Sequence, residues 1–152
     1  MKQGTVTRLK PEDAEKCCGI WGASKRPEYL RLFRSQLEQG ERLTFVYRTG
    51  EEYLGEISLM FERDDPDYTV PGKRAYLSRL IVKESCRRRG IGSALCAYIF
   101  EAAKGLGFSE LSLGVDLSNY AALKLYHKLG FSTILFVGED RNGKYMKLLK
   151  QL

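Results

Sequence analysis

A run of nine residues, Ala75 to Lys83 (AYLSRLIVK), is apolar enough for a central strand, and it passes straight into a basic turn. That turn reads Glu84-Ser85-Cys86-Arg87-Arg88-Arg89-Gly90-Ile91-Gly92 and opens a helical pattern. Ile91, Leu95, Tyr98, Ile99, Ala102 and Leu106 recur at helical spacing, with Gly105 and Gly107 as stops. A second strand, Glu110 to Val115, follows. Strand, helix and strand in that order make a parallel crossover, so the middle of the chain commits it to an α/β fold.

The flanks read as antiparallel additions. Thr5 to Leu9 alternates like a short strand. Pro11, Glu12 and Asp13 place a proline and two acids in the first turn of a helix reaching Trp21. A second helix starts at Pro27, with Tyr29, Leu30, Phe33 and Leu37 on one face and Gly40 as its end. Leu43 to Arg48 and Tyr53 to Phe61 form a hairpin around Thr49-Gly50, and the polar segment Glu62 to Lys73 is a loop. A helix capped at Ser118 or Asn119 runs to Leu129 and stops at Gly130. Phe131 to Val137 and Lys144 to Lys150 then pair about Asn142-Gly143. The expected fold is α/β: a mixed, mostly antiparallel sheet of about seven strands flanked by four helices, in the order β-α-α-β-β-β-α-β-α-β-β.

With 152 residues and no repeat or linker, the chain suits one domain over residues 1–152, burying roughly 70% of its unfolded surface. No apolar run reaches the ~18 residues of a membrane span, and the first residues, MKQGTVTRLKPEDAEKCC, lack a secretory apolar stretch. Cys17, Cys18, Cys86 and Cys96 contain no CxxC pair, and His127 is the sole histidine, so no metal site or disulfide framework is expected. A cytoplasmic protein without membrane attachment is the expectation.

The net charge of +6 is uneven. Between Lys73 and Lys104 eight basic residues face two acids, whereas Glu51 to Asp67 holds seven acids and only Arg63. Such poles suit an anionic ligand at one place and a cationic one at another, or two solvated faces. At the basic turn the strand-to-helix junction favours a ligand. A helix start offers free N–H groups and the positive end of the dipole. Gly90 and Gly92 leave room for an oxygen to approach, and Arg87, Arg88 and Arg89 add charge-assisted bonds suited to a pyrophosphate. A Walker loop is absent, and a dinucleotide fingerprint fails because Leu95 stands where its third glycine is needed. Alone, the turn is equally a helix cap.

A second motif follows: Asn119-Tyr120-Ala121-Ala122-Leu123-Lys124-Leu125-Tyr126-His127-Lys128-Leu129-Gly130-Phe131. Together the two resemble the GNAT superfamily of acetyl-CoA-dependent N-acetyltransferases. Arg87 to Gly92 match its [QR]xxGx[GA] signature, and Asn119, Ala122, Leu125, Tyr126, Gly130 and Phe131 match its NxxAxxLYxxxGF element. The clear resemblance covers Lys73 to Thr133.

The resemblance implies acetyl transfer from acetyl-CoA to a primary amine by direct attack in a ternary complex. It puts the pyrophosphate on Arg87, Arg88, Arg89, Gly90, Ile91, Gly92 and Ser93, mostly through backbone N–H groups. The backbone of Leu80, Ile81 and Val82 is expected to pair with the acetyl and pantetheine part, where the central strand splays from the next parallel one. Asn119 is either a cofactor contact or simply the helix N-cap. Tyr126 sits where the family has its general acid; a phenol of pKa about 10 can protonate a departing thiolate whose thiol is near 8.5. An aromatic of the Ala122, Leu125, Leu129 stripe is the plainer reading.

The base departs from the pattern, because Tyr76 occupies the position where many relatives have glutamate. Tyr76 and Ser78 share one strand face and are expected to line the acceptor pocket. Glu56 on the neighbouring strand is the nearest base, acting through water, or else an ordinary charge on a partly exposed face. His127 and Cys86 are read as bystanders. Asp64, Asp65 and Asp67 in the loop suggest a cationic amine acceptor. The resemblance also leaves room for a homodimer built on the last hairpin. Two other readings remain: a CoA-binding regulatory domain without catalysis, and a nucleic-acid-binding module. Against the second stand the acids at 51–67 and the lack of a base-stacking signature, so no nucleic-acid partner is expected.

Overall fold

The computed structural model describes residues 3–22 and 27–152. Its strands are β1 (Thr5–Arg8), β2 (Arg42–Thr49), β3 (Glu52–Met60), β4 (Arg74–Val82), β5 (Glu110–Asp116), β6 (Thr133–Asp140) and β7 (Gly143–Gln151). The helices are α1 (Cys18–Trp21), α2 (Pro27–Glu38), α3 (Ile91–Gly105) and α4 (Tyr120–Lys128). One mixed sheet holds the strands in the order β1-β2-β3-β4-β5-β7-β6. The β4–β5 pair is parallel, whereas β1–β2, β2–β3, β5–β7 and β6–β7 are antiparallel. The sequence order of elements is the one expected. No helix among the described residues is long and apolar enough to cross a membrane.

The chain divides into two compact units, Met1–Met60 with Arg79–Glu101, and Phe61–Ser78 with Ala102–Leu152. In the first, Leu9, Ala14, Cys17, Ile20, Trp21, Phe33, Val46 and Tyr53 form a buried cluster, with Tyr29, Leu30, Leu37 and Ile81 packed against it. Burying each large side chain of this kind contributes about 1.5–3 kcal/mol. Trp21 meets both Tyr29 and Phe33 edge-on, with ring centroids 5.1 Å apart in each case. The start of α3 lies directly on β3: a Cβ at Gly55 would sit 3.1 Å from Ile91 Cγ2 and 3.2 Å from Leu95 Cδ1.

In the second unit β5 is flanked by the first residues of β4 and by β7. Arg74 and Gln151 both donate to the carboxylate of the buried Glu110. The loop ahead of β4 is anchored by Tyr68, whose carbonyl accepts a 2.6 Å hydrogen bond from Ser112 Oγ.

Two expectations need correction. The first helix is a 3-10 helix over Pro11–Cys17 followed by the single α turn of α1. Lys10 has no side-chain oxygen to cap the first N–H groups, and a tighter bond from Asp13 N to Lys10 O (3.0 Å) serves instead. β6 begins at Thr133 rather than Phe131 because Phe131 belongs to the end of α4. There Gly130 N donates to His127 O (3.1 Å), Phe131 N donates to Tyr126 O (3.0 Å), and Gly130 adopts φ +97°. These are the paired bonds of a Schellman motif. α2 and α3 end the same way, at Gly40 and Gly107.

Candidate active site

The basic turn is built from backbone first. β4 ends at Val82; Lys83 N donates to Leu54 O at 2.8 Å, which ties the strand end to β3. A 3-10 turn over Glu84–Cys86 follows and buries Cys86. Arg88 then takes φ +66°, the one left-handed non-glycine among the described residues, and Gly90 takes φ +79°. Holding an arginine there costs of order 1 kcal/mol, and such outliers cluster at ligand-binding turns. Ala94 N donates to Gly90 O at 3.0 Å, closing the first turn of α3. The N–H groups of Ile91, Gly92 and Ser93 precede that bond and have no acceptor within the helix. Arg87, Arg88, Arg89 and Gly90 are exposed. Arg87 Nε donates to Val82 O at 3.2 Å, which lays that side chain back along the strand end. The turn therefore combines main-chain donors, a helix dipole and arginines in one exposed place, the donor set a pyrophosphate requires.

The second motif is organised by the helix it ends. Asn119 Oδ1 accepts from Ala122 N at 3.2 Å and so caps α4. At the other end the Schellman motif brings Phe131 back against Tyr126, edge-on at 5.7 Å between ring centroids. Tyr126 is buried in consequence. Its ring orientation is fixed by the Gly130-Phe131 pair, a physical reason for those residue types four and five places after a tyrosine. His127 is exposed, as expected for a bystander.

In the second unit the registered parallel pairs of β4 and β5 stop at Tyr76 and Ser112, although both strands run on. Tyr76 packs its ring against Tyr68 at 4.4 Å, with the Arg63 guanidinium 5.1 Å from its centroid. Burial, reinforced by Tyr76, pushes the Tyr68 phenol up to about 12. Ser78 is half-buried.

Two of the three loop aspartates share an internal cation. Lys147 Nζ lies 2.6 Å from Asp65 Oδ2 and 3.1 Å from Asp67 Oδ2, with only 11% of its side chain exposed. Its ammonium also sits 4.7 Å from the centroid of Phe136 and 5.2 Å from that of Tyr68. The hydrogen bond from Lys147 holds Asp65 below the usual carboxylate range, and the same bond raises Lys147. Of the three aspartates Asp64 is exposed, whereas Asp65 and Asp67 are half-buried. Asp65 and Asp67 secure the loop to β7 through the one ammonium they share.

Glu56 also departs from expectation. Its side chain is 0% exposed, so it is no surface charge. Oε1 accepts from Arg79 Nε at 2.8 Å, and Oε2 accepts from Trp21 Nε1 at 2.7 Å. Both carboxylate oxygens are therefore engaged inside the fold, in a buried ion pair with Arg79 and a hydrogen bond from Trp21. Burial first, and Glu56 next, push the Cys17 thiol well above its ordinary range. Sequence reasoning passed over Trp21, Tyr29, Arg79 and Lys147. The one available signal was an arginine standing inside an otherwise apolar strand.

Both motifs, in this element order, find their counterpart among known proteins. The model of the acetyltransferase (GNAT) family matches residues 9–131. The chain belongs to that family. GNAT proteins take acetyl-CoA as acetyl donor, and the first-turn N–H groups of α3 with the exposed arginines at 87–89 fit such a group. N-alpha-acetyltransferase 30 of Xenopus laevis is 30% identical over 105 residues, covering 69% of this chain and 37% of that protein. The ribosomal-protein-alanine N-acetyltransferase from Brucella melitensis has a TM-score of 0.80 at 17% identity, over 97% of this chain and 99% of that one. The NatC complex bound to Gag peptide and CoA contains a chain with a TM-score of 0.79 at 20% identity, over 99% of both. These structural likenesses show the GNAT fold. The chain spans well under two thirds of the length of the curated relatives it matches first.

Proposed function

We propose that this chain is an N-acetyltransferase that moves an acetyl group from acetyl-CoA to a primary amine by direct attack in a ternary complex. The observation that carries the reading is the turn at 87–93, where left-handed Arg88 and Gly90 lead into the first turn of α3, whose opening N–H groups have no acceptor within the helix, beside three exposed arginines. When bound, acetyl-CoA supplies an activated carbonyl and a thiolate leaving group. Arg87 to Ser93 hold its pyrophosphate, and the backbone of Leu80, Ile81 and Val82 binds the acetyl and pantetheine part, with an N–H near Val82 answering charge on the carbonyl oxygen. Asn119 serves both as the cap of α4 and as a cofactor contact. Tyr126, its ring set by Phe131, donates the proton that the leaving sulfur takes up.

The acceptor amine reaches the carbonyl neutral, since an ammonium has no lone pair. Tyr76 and Ser78 line its path. A strongly cationic acceptor is not favoured, because Lys147 already occupies Asp65 and Asp67. The names of the relatives, which specify N-alpha-acetylation, a protein alanine and a bound peptide, favour the α-amine of a peptide or amino acid. All four cysteines are free thiols, which suits a reducing compartment such as the cytoplasm. β6 leaves Ile134, Phe136 and Val137 exposed, a surface on which two copies can pair; sedimentation tests this.

Thermal unfolding with acetyl-CoA tests the cofactor. At 100 times its dissociation constant the ligand adds about 2.7 kcal/mol, a shift of a few degrees that CoA shares and ATP lacks. Tyr126→Phe is expected to keep that shift while slowing CoA release in the presence of peptide by about a hundredfold or more. An unshifted transition in saturating acetyl-CoA overturns the reading.

A further inference from the structure

One buried donor is left over by the cluster around Glu56. Arg79 spends Nε on Glu56 and Nη1 on the hydroxyl of Tyr29. Its guanidinium lies between two rings, 5.2 Å from the centroid of Trp21 and 4.8 Å from that of Tyr29. Nη2 has no hydrogen-bond partner, the only such buried side-chain atom among the described residues. A buried N–H left unpaired costs about 1–3 kcal/mol, more for a charged group, so a fold that holds one rigidly in place needs a further use for it. The arginine is not loosely placed: the carboxylate, the phenol and two ring faces fix its position and the direction of the free edge. The side chain as a whole keeps 12% exposure, while Nη2 itself is buried.

Arg79 immediately precedes Leu80, Ile81 and Val82 in β4. On the reading above those residues hold the acetyl group, so an amine attacking it comes within one or two residues of Arg79. Guanidinium N–H groups donate and never accept, so the missing partner is an oxygen acceptor. We propose that Arg79 is a specificity-determining residue whose free Nη2 edge takes an oxygen of the acceptor next to its reacting amine. The acceptor class is therefore the α-amino acyl group, an amine with a carbonyl or carboxylate oxygen on the adjoining carbon. Glu56 is the group that positions Arg79 for this role.

This inference rests on the acetyltransferase reading, and its test separates the two. Trp21 is the only tryptophan and touches Arg79, so its emission reports acceptor binding without any turnover. The protein loaded with CoA is titrated with an alanyl peptide, with the same peptide carrying a methylene in place of its first carbonyl, with free alanine and with ethylamine. CoA release from acetyl-CoA is followed for the same four amines. The peptide is expected to bind and to turn over about tenfold to a hundredfold better than its reduced counterpart. Free alanine matching the peptide assigns the oxygen to a carboxylate, and alanine failing while the peptide succeeds assigns it to a carbonyl; either supports the proposal. In Arg79→Lys the ratio of peptide to reduced peptide, in binding and in CoA release, is expected to fall to about one.

Equal binding and turnover of peptide and reduced peptide by the unmodified protein overturns the role of Arg79 and leaves the acetyltransferase standing. That comparison needs no variant and is immune to misfolding. Absence of both acetyl-CoA binding and CoA release overturns both readings together.

Discussion

Two ion-paired clusters, one in each unit, show opposite ways of holding a charge. In the first unit the carboxylate is fully buried and the cation is Arg79; in the second the cation, Lys147, is buried and its two carboxylates stay partly in water, with Asp65 35% and Asp67 40% exposed. Lys147 has two acceptors within 3.1 Å and two aromatic faces around it, so its charge is answered. Arg79 has a carboxylate, a phenol and two rings, and still one donor remains. An ammonium is a compact charge that a pair of carboxylates can satisfy, whereas a guanidinium carries a planar fork of five N–H groups that is harder to fill. The difference separates a latch from a binding group. The lysine closes a loop onto a strand, and the arginine has an edge to offer.

The largest effect follows from breaking the first cluster. In Glu56→Gln the amide keeps the shape and can still meet Trp21, but the Arg79 charge loses its counter-ion below the surface. Removing one partner of a buried pair costs about 3–5 kcal/mol, and urea unfolding reads the loss directly. Replacing both partners at once, Glu56→Leu with Arg79→Met, is expected to recover most of that stability, because no uncompensated charge is left. A double variant as unstable as the single one would show that packing against Trp21 and Tyr29, rather than charge, holds the cluster.

Local chemistry explains why some of this could be read in advance. The helix ends at Gly40, Gly107 and Gly130 were visible because a left-handed stop needs glycine whatever the rest of the chain does. The cap at Asn119 and the strand-to-helix turn at 84–92 were visible for the same reason, and with them the element order. What the residues could not reveal was pairing at a distance. Lys147 and Asp65 are 82 positions apart, and Trp21 and Glu56 are 35 apart. Seven acids between Glu51 and Asp67 therefore looked like a field of charge, although Glu51, Glu52 and Glu56 each carry a basic partner and Asp65 and Asp67 share one. Phe131 misled in another way, since an aromatic ahead of an apolar run looks like the start of a strand. Its backbone and its ring both belong to the end of α4, where it faces Tyr126.

Lys147→Met tests the second cluster and is expected to cost less, about 1–2 kcal/mol, because water can take over the two part-exposed carboxylates. The pH dependence carries a sharper sign. Asp65 is held below its ordinary value of 3.8 in the fold, so the unfolded chain binds its proton more readily. Its contribution is present above that value and is lost as pH falls below it. Lys147 is raised above 10.5, so its contribution is full below that pH and fades as the pH climbs past it. Both limbs should flatten in Lys147→Met when stability is measured by urea unfolding from pH 3 upward. Limbs that keep their wild-type slope would place the acid sensitivity elsewhere, with Glu110 the next group to test, since Gln151, Arg74 and Lys73 bring it below the usual range despite its burial.

The smallest change asks whether the latch depends on fit as well as charge. A Cβ at Gly114 would lie 2.6 Å from the Tyr68 hydroxyl. Tyr68 cannot easily withdraw, because its ring is held against Tyr76, its carbonyl is bonded to Ser112, and Lys147 faces it. Gly114→Ala is therefore expected to destabilise by about 1 kcal/mol, the low end of the overpacking range. Tyr68→Phe removes the one atom in the way, so the double variant should regain most of the loss, a coupling that a mutant cycle in urea measures. Additive losses would mean that the hydroxyl moves aside freely, and the loop would then be held by Lys147 and Ser112 alone. Coupling would show that the second unit positions this loop by shape and charge together, the condition under which Tyr76, its ring packed against Tyr68, keeps a fixed place.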